Sequence, residues 1–344
     1  MPHDSTVSAA EPASAPIPAA ADPNLLLQEH VREGLARPFK ALSSMFFYDD
    51  EGSRLFQQIM ALPEYYPTRT EFALLNRHRA AMARALRPQN PAEPFFLLEL
   101  GAGDGLKTKI LLRELLAEGA DFTYVPVDIS AAALQGLTRS LQAELPELRV
   151  EPVVADYADA LGLMAARPGR KAVLFLGSNI GNFSPEERHQ FLRSLARPLT
   201  SDDRLLIGFD LQKDPRLIRN AYDDSQGVTA AFNYNLLRRL NRELGADFDL
   251  ANWQHYTDYD PLSGAVRSFL ASTCAQTVHF AEPGWSVDFR AWEMIHTENS
   301  YKFTRPGIET IARETGLQVA EFFTDEQDYF ADVLLRRQDG QKVQ

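Results

Sequence analysis

The stretch LLELGAGDGLKTKILL, residues 97–112, joins an apolar run to a helical pattern through three closely spaced glycines. The apolar run predicts a buried strand, and the spacing of apolar residues after the glycines predicts one face of a helix. Because glycine has no Cβ, Gly101, Gly103 and Gly105 allow a ligand to approach the backbone closely. The stretch therefore predicts a strand, a ligand-binding loop and a helix. The alternative is a glycine-rich turn that binds nothing.

The spacing of the glycines narrows the class of ligand. The dinucleotide fingerprint is G-x-G-x-x-G, but here the third glycine comes one residue early and Leu106 takes its place. This departure argues against a nicotinamide or flavin dinucleotide. It favours a smaller nucleotide-like ligand that has no central pyrophosphate.

Composition sets broad limits on function. The 344 residues are enough for one large domain or two ordinary ones, and 45% of them are hydrophobic. The net charge of −12 disfavours nucleic acid as a partner and favours a small substrate. Cys274 is the only cysteine, so neither an intrachain disulfide nor zinc spacing is present. With no apolar run long enough to span a bilayer and no secretory signal, we expect a soluble cytoplasmic protein that binds no metal.

The order of elements predicts the fold class. Strand patterns alternate with helical patterns as far as residue 211, which indicates a parallel sheet covered by helices on both faces. A break follows at about 212–302, and the chain ends in two strands whose short link predicts an antiparallel hairpin at the sheet edge.

Three helix starts have capping signals. Asp22 and Pro23 predict the start of the first helix, and Ser184 begins a later one. Thr68 and Glu71 have the spacing of a capping box, so we expect a helix from about Thr68 to Leu86.

Two acidic residues follow the glycine loop at predicted strand ends. Asp128 ends the second strand and can accept hydrogen bonds from ribose hydroxyls. Asp156 ends the third and can reach an exocyclic amine of adenine. For each, the alternative is a solvated strand end or a helix cap.

This arrangement resembles the S-adenosylmethionine-dependent methyltransferases. Glu99-x-Gly101-x-Gly103-x-Gly105 is similar to their first motif, and the closing hairpin resembles their antiparallel seventh strand. Lys107 could pair with the methionine carboxylate, or be a solvated lysine. In this fold the loop after strand four, GSNIGN at 177–182, lies beside the transferred methyl. Asn182 is therefore a candidate to hold the acceptor amine, the alternative being a turn-stabilising Asn.

A closer resemblance covers about residues 25–337. FYDDEGSRLFQQIMALPEYYPTRTE, FLGSNIGN, AYDDSQGVTAAFN, NRELGADFDL and HTENSYKF resemble the histidine N-alpha-methyltransferases of ergothioneine biosynthesis. The resemblance implies a Rossmann-like class I methyltransferase sheet of seven strands, the last antiparallel, plus a smaller α+β domain. It implies a substrate domain from 22–69 and 212–302 and a cofactor domain from 70–211 and 303–338. Residues 1–21 are rich in Ala, Pro and Ser, and this composition predicts a disordered tail.

The same resemblance implies roles for individual residues. Tyr48 would lie near the amine, and the amino and carboxylate groups of the substrate would be held by Tyr65, Asn182 and Tyr222. Glu298 and Ser300 would bind the imidazole. The residues around S-adenosylmethionine would be Glu99, Gly101, Gly103, Gly105, Lys107, Asp128, Asp156 and Tyr157.

Ser268 departs from the family pattern, because many relatives have a methionine there that packs on the imidazole. A smaller residue could loosen the pocket, so tryptophan or another amino acid is an alternative substrate. A non-catalytic S-adenosylmethionine-binding protein is a further alternative. The expected reaction is three in-line transfers to the α-amino group of histidine, giving hercynine, by a monomeric enzyme that needs no metal and no strong general base.

Overall fold

The structure is a computed structural model that describes residues 23–88, 90, 93–281 and 284–338. The tail predicted at 1–21 and the predicted N-cap Asp22 lie outside the described residues. The helices are α1 (Pro23–Ala36), α2 (Asp50–Ala61), α3 (Tyr66–Leu86), α4 (Thr108–Ala117), α5 (Ala131–Glu144), α6 (Tyr157–Ala166), α7 (Pro185–Ala196), α8 (Pro215–Asn220), α9 (Val228–Leu244) and α10 (Arg305–Glu314). Short 3₁₀ turns span Ser44–Phe47, Asn179–Asn182 and Leu250–Asn252.

The main sheet has the predicted class. Its strands are β1 (Phe95–Leu100), β2 (Phe122–Asp128), β3 (Arg149–Val150), β4 (Val153–Val154), β5 (Arg170–Phe175), β6 (Arg204–Asp210), β12 (Leu317–Thr324) and β13 (Phe330–Arg337). Their order is β12-β13-β6-β5-β1-β2-β3, with β4 also paired to β2. Strands β1 to β6 pair in parallel, whereas β13 runs antiparallel to both β6 and β12. The parallel sheet with one antiparallel strand is confirmed.

Both faces of this sheet are covered by helices. Successive residues of a strand point to opposite faces, so Leu97 joins the core beneath α3, α4 and α5, while Leu98 joins the core beneath α6, α7 and α10. Strands buried on both sides read as continuous apolar runs, which is the pattern of β1, β2 and β5.

The third strand differs from the prediction. It is broken into β3 and β4, and between them stands Pro152, which has no N–H to donate to a ladder. The strand ends at Val154 rather than Asp156. Asp156 is instead the N-cap of α6, where its side chain accepts the Asp159 N–H at 2.9 Å.

Helix α3 begins earlier than predicted. Its N-cap is Tyr65, and Pro67 occupies the first turn, so the capping box proposed for Thr68 and Glu71 was wrong. The Glu71 side chain is 1% exposed and turns toward the sheet. The capping box at Ser184 and Glu187 is confirmed.

The region that interrupts the sheet pattern contains α8, α9 and two small sheets. Strands β7 (Trp253–Asp260), β8 (Ala265–Ser272) and β11 (Met294–Tyr301) form one, in the order β11-β8-β7, and β9 (Gln276–Phe280) pairs with β10 (Trp285–Phe289). A single apolar cluster joins α1 and α2 to α9 and these strands, for example through Leu27, Phe47, Phe232 and Ile295. The N-terminal segment and the insertion therefore share one core.

Candidate active site

The glycine loop presents backbone at the carboxyl end of β1. Gly101, Gly103 and Gly105 all have positive φ, of 73°, 54° and 65°, a conformation in which other residues are strained. A Cβ on Gly105 would overlap Leu137 of α5, so this glycine allows close packing of the loop. A Cβ on Gly103 would meet nothing within 4 Å, so the backbone there faces open space.

Asp128 holds this loop in place. One carboxylate oxygen accepts the Gly103 N–H and the other accepts the Ser130 N–H, both at 2.9 Å. Each oxygen can accept a further hydrogen bond, so the carboxylate remains able to bind hydroxyl groups. Tyr157 lies on the other side of the loop, with its hydroxyl 3.2 Å from where a Cβ of Gly101 would stand. Burial, and then the charge of Asp128, raise the pKa of Tyr157.

Glu99 lies beneath the loop rather than on it. The side chain is 4% exposed and accepts hydrogen bonds from the hydroxyls of Thr108 and Tyr124. Burial raises its pKa to about 7, although both hydrogen bonds favour the charged form. Glu99 thus connects β1 to the start of α4 and to β2.

Lys107 and Glu71 connect the glycine loop to the loop after β5. Lys107 Nζ lies 2.5 Å from one oxygen of Glu71, and the other oxygen accepts the Gly177 N–H at 2.7 Å. Burial would lower the pKa of Lys107, but the facing Glu71 raises it above its usual value. Asp332 of β13 is 0% exposed, and burial and the charge of Glu71 raise its pKa well above its usual value. We name Glu71, Lys107 and Asp332 the Glu71 cluster.

The loop after β5 is fixed against the insertion. Ser178 has positive φ, 58°, and its hydroxyl accepts the Asp210 N–H at 3.0 Å. Gly181 lies against β11, because an added Cβ would stand 2.8 Å from the carbonyl oxygen of Tyr301. Asn182 ends the 3₁₀ turn and is half-buried.

Strand β11 brings Glu298 and Ser300 to one face. A bulge between His296 and Glu298 shifts the register with β8, and Glu298 then pairs with Ser268 across the ladder. Ser268 is 1% exposed, and its hydroxyl has no hydrogen-bond partner among the described residues. Burial raises the pKa of Glu298 to about 7, and the charge of Lys302 acts in the opposite direction.

Three tyrosines surround Glu298. The ring centroids of Tyr65 and Tyr222 are 6.1 Å apart, and Phe56 lies between Tyr65 and Tyr48, at 6.2 and 5.6 Å. Burial, and then the charge of Glu298 among other neighbours, raise the pKa of Tyr48. The same two causes act on Tyr65 and Tyr222. Tyr48 nevertheless keeps 38% of its surface exposed, so part of its side chain remains accessible.

A second charged group lies behind these tyrosines. Asp210, at the end of β6, accepts from Lys302 at 2.8 Å, from Tyr66 at 2.8 Å, and from Lys213. Asp210 is 0% exposed and Lys302 is 3% exposed. Burial alone would raise the pKa of Asp210, but the two lysines lower it. We name Asp210, Lys213, Lys302 and Tyr66 the Asp210 cluster.

Sequence reasoning missed three of the central residues. Glu71 was assigned to a helix cap, and Asp210 and Lys302 were not singled out. Asp210 had one available signal, because it ends a predicted parallel strand just as Asp128 does. Lys302 had no such sequence signal, since a lysine beside a strand is usually a solvated surface charge.

Among the described residues, no group of three or more His, Cys, Asp or Glu side chains is arranged to hold a metal ion. None of the helices described is both long enough and apolar enough to cross a bilayer.

The antiparallel β13 and the glycine loop with Asp128 at the ends of β1 and β2 define a class I S-adenosylmethionine-dependent methyltransferase. More narrowly, the chain belongs to the histidine-specific, S-adenosylmethionine-dependent methyltransferase family. The sequence model of that family matches residues 27–337.

Three named relatives are similar to the chain. A Mycolicibacterium smegmatis protein named histidine N-alpha-methyltransferase is 39% identical over 87% of this chain and 91% of its own. Ergothioneine biosynthesis protein 1 of Schizosaccharomyces pombe is 32% identical over 81% of this chain and 36% of its own. A Claviceps fusiformis 4-dimethylallyltryptophan N-methyltransferase is 26% identical over 87% of this chain and 89% of its own.

Proposed function

We propose that this enzyme methylates the α-amino group of L-histidine three times with S-adenosylmethionine and so makes hercynine for ergothioneine biosynthesis. The observation with most weight is the convergence of two groups of residues on one cleft. Tyr157 lies beside the glycine loop, and its electrostatic neighbour Tyr48 lies beside Glu298. The proximity of these residues supports a shared site for the cofactor and the substrate.

The described residues suit the proposed cosubstrate. The open backbone at Gly103 and the remaining lone pairs of Asp128 fit a nucleoside, and Lys107 fits a carboxylate. Asp156 is exposed at the start of α6, and we propose that its side chain contacts the exocyclic amine of adenine. Glu99 supports the loop from below. S-adenosylmethionine supplies a methyl group on a sulfonium cation, which an unprotonated amine can displace in line.

The residues of the chain then have to place the amine. Tyr48 would lie near the amine, whose lone pair has to be directed at the methyl, and Tyr65, Asn182 and Tyr222 would together hold the amino and carboxylate groups of the substrate. Free α-amino groups titrate not far above neutral pH, so only a modest pKa shift is needed. A strong general base is not required by this chemistry.

The proposed substrate domain comprises residues 22–69 and 212–302, and the proposed cofactor domain comprises 70–211 and 303–338. The shared core of α1, α2 and α9 supports this division. The boundary at residue 69 falls inside α3, whose first turn contributes Tyr66 to the Asp210 cluster. We further propose that the enzyme acts as a monomer in the cytoplasm.

Tryptophan is the alternative substrate. Ser268 leaves more room beside Glu298 than a methionine would, and a 26% identical relative is named for a tryptophan derivative. Histidine is favoured because Glu298 offers a carboxylate to an imidazole N–H.

Mass spectrometry of each of the twenty amino acids, incubated with enzyme and S-adenosylmethionine, tests both substrate and methylation number. We expect mono-, di- and trimethylated histidine in succession. A product from tryptophan alone would support the alternative substrate. Binding of S-adenosylmethionine with no product from any amino acid would contradict the proposed reaction.

A further inference from the structure

Lys302 has three hydrogen-bond donors and three partners. Its Nζ lies 2.8 Å from Asp210 Oδ2, 2.7 Å from the Tyr222 hydroxyl and 2.8 Å from Ser300 Oγ. The side chain is fully buried, so water does not compete for these bonds. A lysine ammonium can only donate, and therefore both hydroxyl oxygens must accept from it.

The two hydroxyls also bond to each other. Tyr222 Oη and Ser300 Oγ are 2.8 Å apart, and each hydroxyl has a single hydrogen. One hydrogen is used in this mutual bond, so one remains to point elsewhere. A phenol is the more acidic partner and the better donor, which favours Tyr222 donating to Ser300. The hydrogen of Ser300 is then the one left free.

We propose that Lys302 is a positioning residue that makes Ser300 a fixed hydrogen-bond donor toward the substrate side chain. Ser300 and Glu298 are two residues apart on β11 and therefore lie on the same face. Together they offer one donor and one acceptor, which matches the two nitrogens of a neutral imidazole. The inference rests on the proposed function and explains how the same site would select its substrate.

The charges of the Asp210 cluster fit this role. Asp210 binds both lysines, but it is the charge of Lys302 that lowers the pKa of the Glu298 carboxyl group. The other titratable groups near Glu298 are Tyr48, Tyr65 and Tyr222, which stay neutral because burial raises their pKa values. Lys302 thus favours the ionised, hydrogen-bond-accepting form of Glu298 and opposes the effect of burial.

Histidine isosteres test directly whether Ser300 donates a hydrogen bond to the substrate side chain. The 4-thiazolyl and 5-thiazolyl alanines each keep one acceptor nitrogen and no N–H, whereas 2-thienylalanine has neither. In the wild-type enzyme we expect one thiazolylalanine to exceed 2-thienylalanine in kcat/KM by about tenfold, the value of one good hydrogen bond. Equal values for all three would overturn the proposal without any variant.

Lys302→Met removes the positive charge and the three hydrogen-bond donors and keeps a side chain of similar length. We expect it to abolish the excess in kcat/KM of the thiazolylalanine over 2-thienylalanine. It should also lower kcat/KM for histidine, mainly by raising KM. Because Lys302 lowers the pKa of Glu298, its loss should also move the acidic limb of the histidine profile to higher pH. Calorimetry with S-adenosylhomocysteine checks that the variant is folded.

Lys213→Met is the matched control, because Lys213 contacts the same Asp210 but neither Ser300 nor Tyr222. This variant should keep the higher kcat/KM of the thiazolylalanine over 2-thienylalanine. The acidic limb of its pH profile with histidine should stay where it is in the wild type. If both variants change them equally, Lys302 only neutralises Asp210 and the proposal is wrong. If the wild-type enzyme methylates no histidine, the proposed function fails first, and that result is separate from a loss of isostere discrimination.

Discussion

Asp210 and Asp332 lie on neighbouring strands, on the same face of the sheet, and are both 0% exposed. Asp332 pairs with Gly208, two residues before Asp210, so the two carboxyl groups differ little in depth. Their charge states differ because of their neighbours. Asp210 has two lysines and its pKa is lowered, whereas Asp332 shares one lysine with Glu71 and its pKa is raised. At equal burial, the neighbouring charges decide the direction in which each pKa shifts.

The two clusters also serve different halves of the cleft. The Glu71 cluster joins the glycine loop to the loop after β5 through Lys107 and Gly177. The Asp210 cluster supports Tyr222 and Ser300 through Lys302. Helix α3 contributes to both, with Tyr66 in one and Glu71 in the other. A shift of this helix would therefore affect the cofactor side and the substrate side together.

The largest expected effect is on stability. Asp210→Asn leaves two buried lysines without a carboxylate and should cost about 3–5 kcal/mol, as for other broken buried pairs. Asp332→Asn replaces a carboxyl group whose raised pKa favours the neutral form, so it should cost far less. Urea unfolding of both variants measures the difference, and equal losses would contradict the assigned charge states.

The pH dependence of the same variants sharpens the comparison. The lowered pKa of Asp210 gives stability that is present above its unfolded pKa of about 3.9 and lost as pH falls through the folded pKa. The raised pKa of Asp332 has the opposite sign, since stability is lost as pH rises from the unfolded toward the folded pKa. Above about pH 4, the free energy of unfolding should therefore fall less steeply with rising pH in Asp332→Asn than in the wild type. Asp210→Asn should leave this decline in place.

Asn182→Ala should separate the two halves of the cleft. We expect turnover to fall roughly 100-fold, because a misdirected amine loses in-line geometry. Affinity for S-adenosylhomocysteine should stay near that of the wild type. Steady-state kinetics and calorimetry measure the two quantities. If cofactor affinity collapsed and histidine affinity were retained, Asn182 would belong to the cofactor site and not to the substrate site.

Asp128→Ala should weaken cofactor binding by about 1.5–3 kcal/mol, the value of hydrogen bonds to a charged group. The structure adds a second cause, since the Gly103 and Ser130 N–H groups also lose their acceptor. Asp156→Ala is a useful comparison, because its exposed side chain caps α6. Calorimetry should show the smaller loss for Asp156→Ala, and unchanged affinity in a folded Asp128→Ala would refute the assignment.

The smallest effect concerns the choice of side chain. Glu298→Ala should lower kcat/KM for histidine by about tenfold to a hundredfold, since an unsatisfied buried nitrogen costs about 1–3 kcal/mol. Tryptophan should lose less, so the histidine-to-tryptophan ratio should fall. Glu298→Gln keeps an acceptor oxygen and should retain part of the preference. If the ratio is the same in all three proteins, Glu298 does not bind the imidazole.

Sequence patterns predicted the local elements well. Apolar runs identified β1, β2, β5 and β6, and the glycine spacing identified the loop and excluded the dinucleotide fingerprint. The errors were also local. Thr68 and Glu71 match a capping box, but Tyr65 begins the helix, and Asp156 caps α6 instead of ending a strand. Short polar motifs have several uses, and the tertiary contacts of the side chain select among them.

The sequence by itself determined the fold class, the glycine loop and the family, because these depend on periodicity, glycine conformation and motifs read along the chain. The tertiary structure alone decided the partners of Glu71, Asp210 and Lys302. Lys302 and Tyr222 are 80 residues apart, and Glu71 and Gly177 are 106 apart. Hydrogen bonding and pKa values depend on distance in space and on burial, and neither quantity is written in the spacing of residues along the chain.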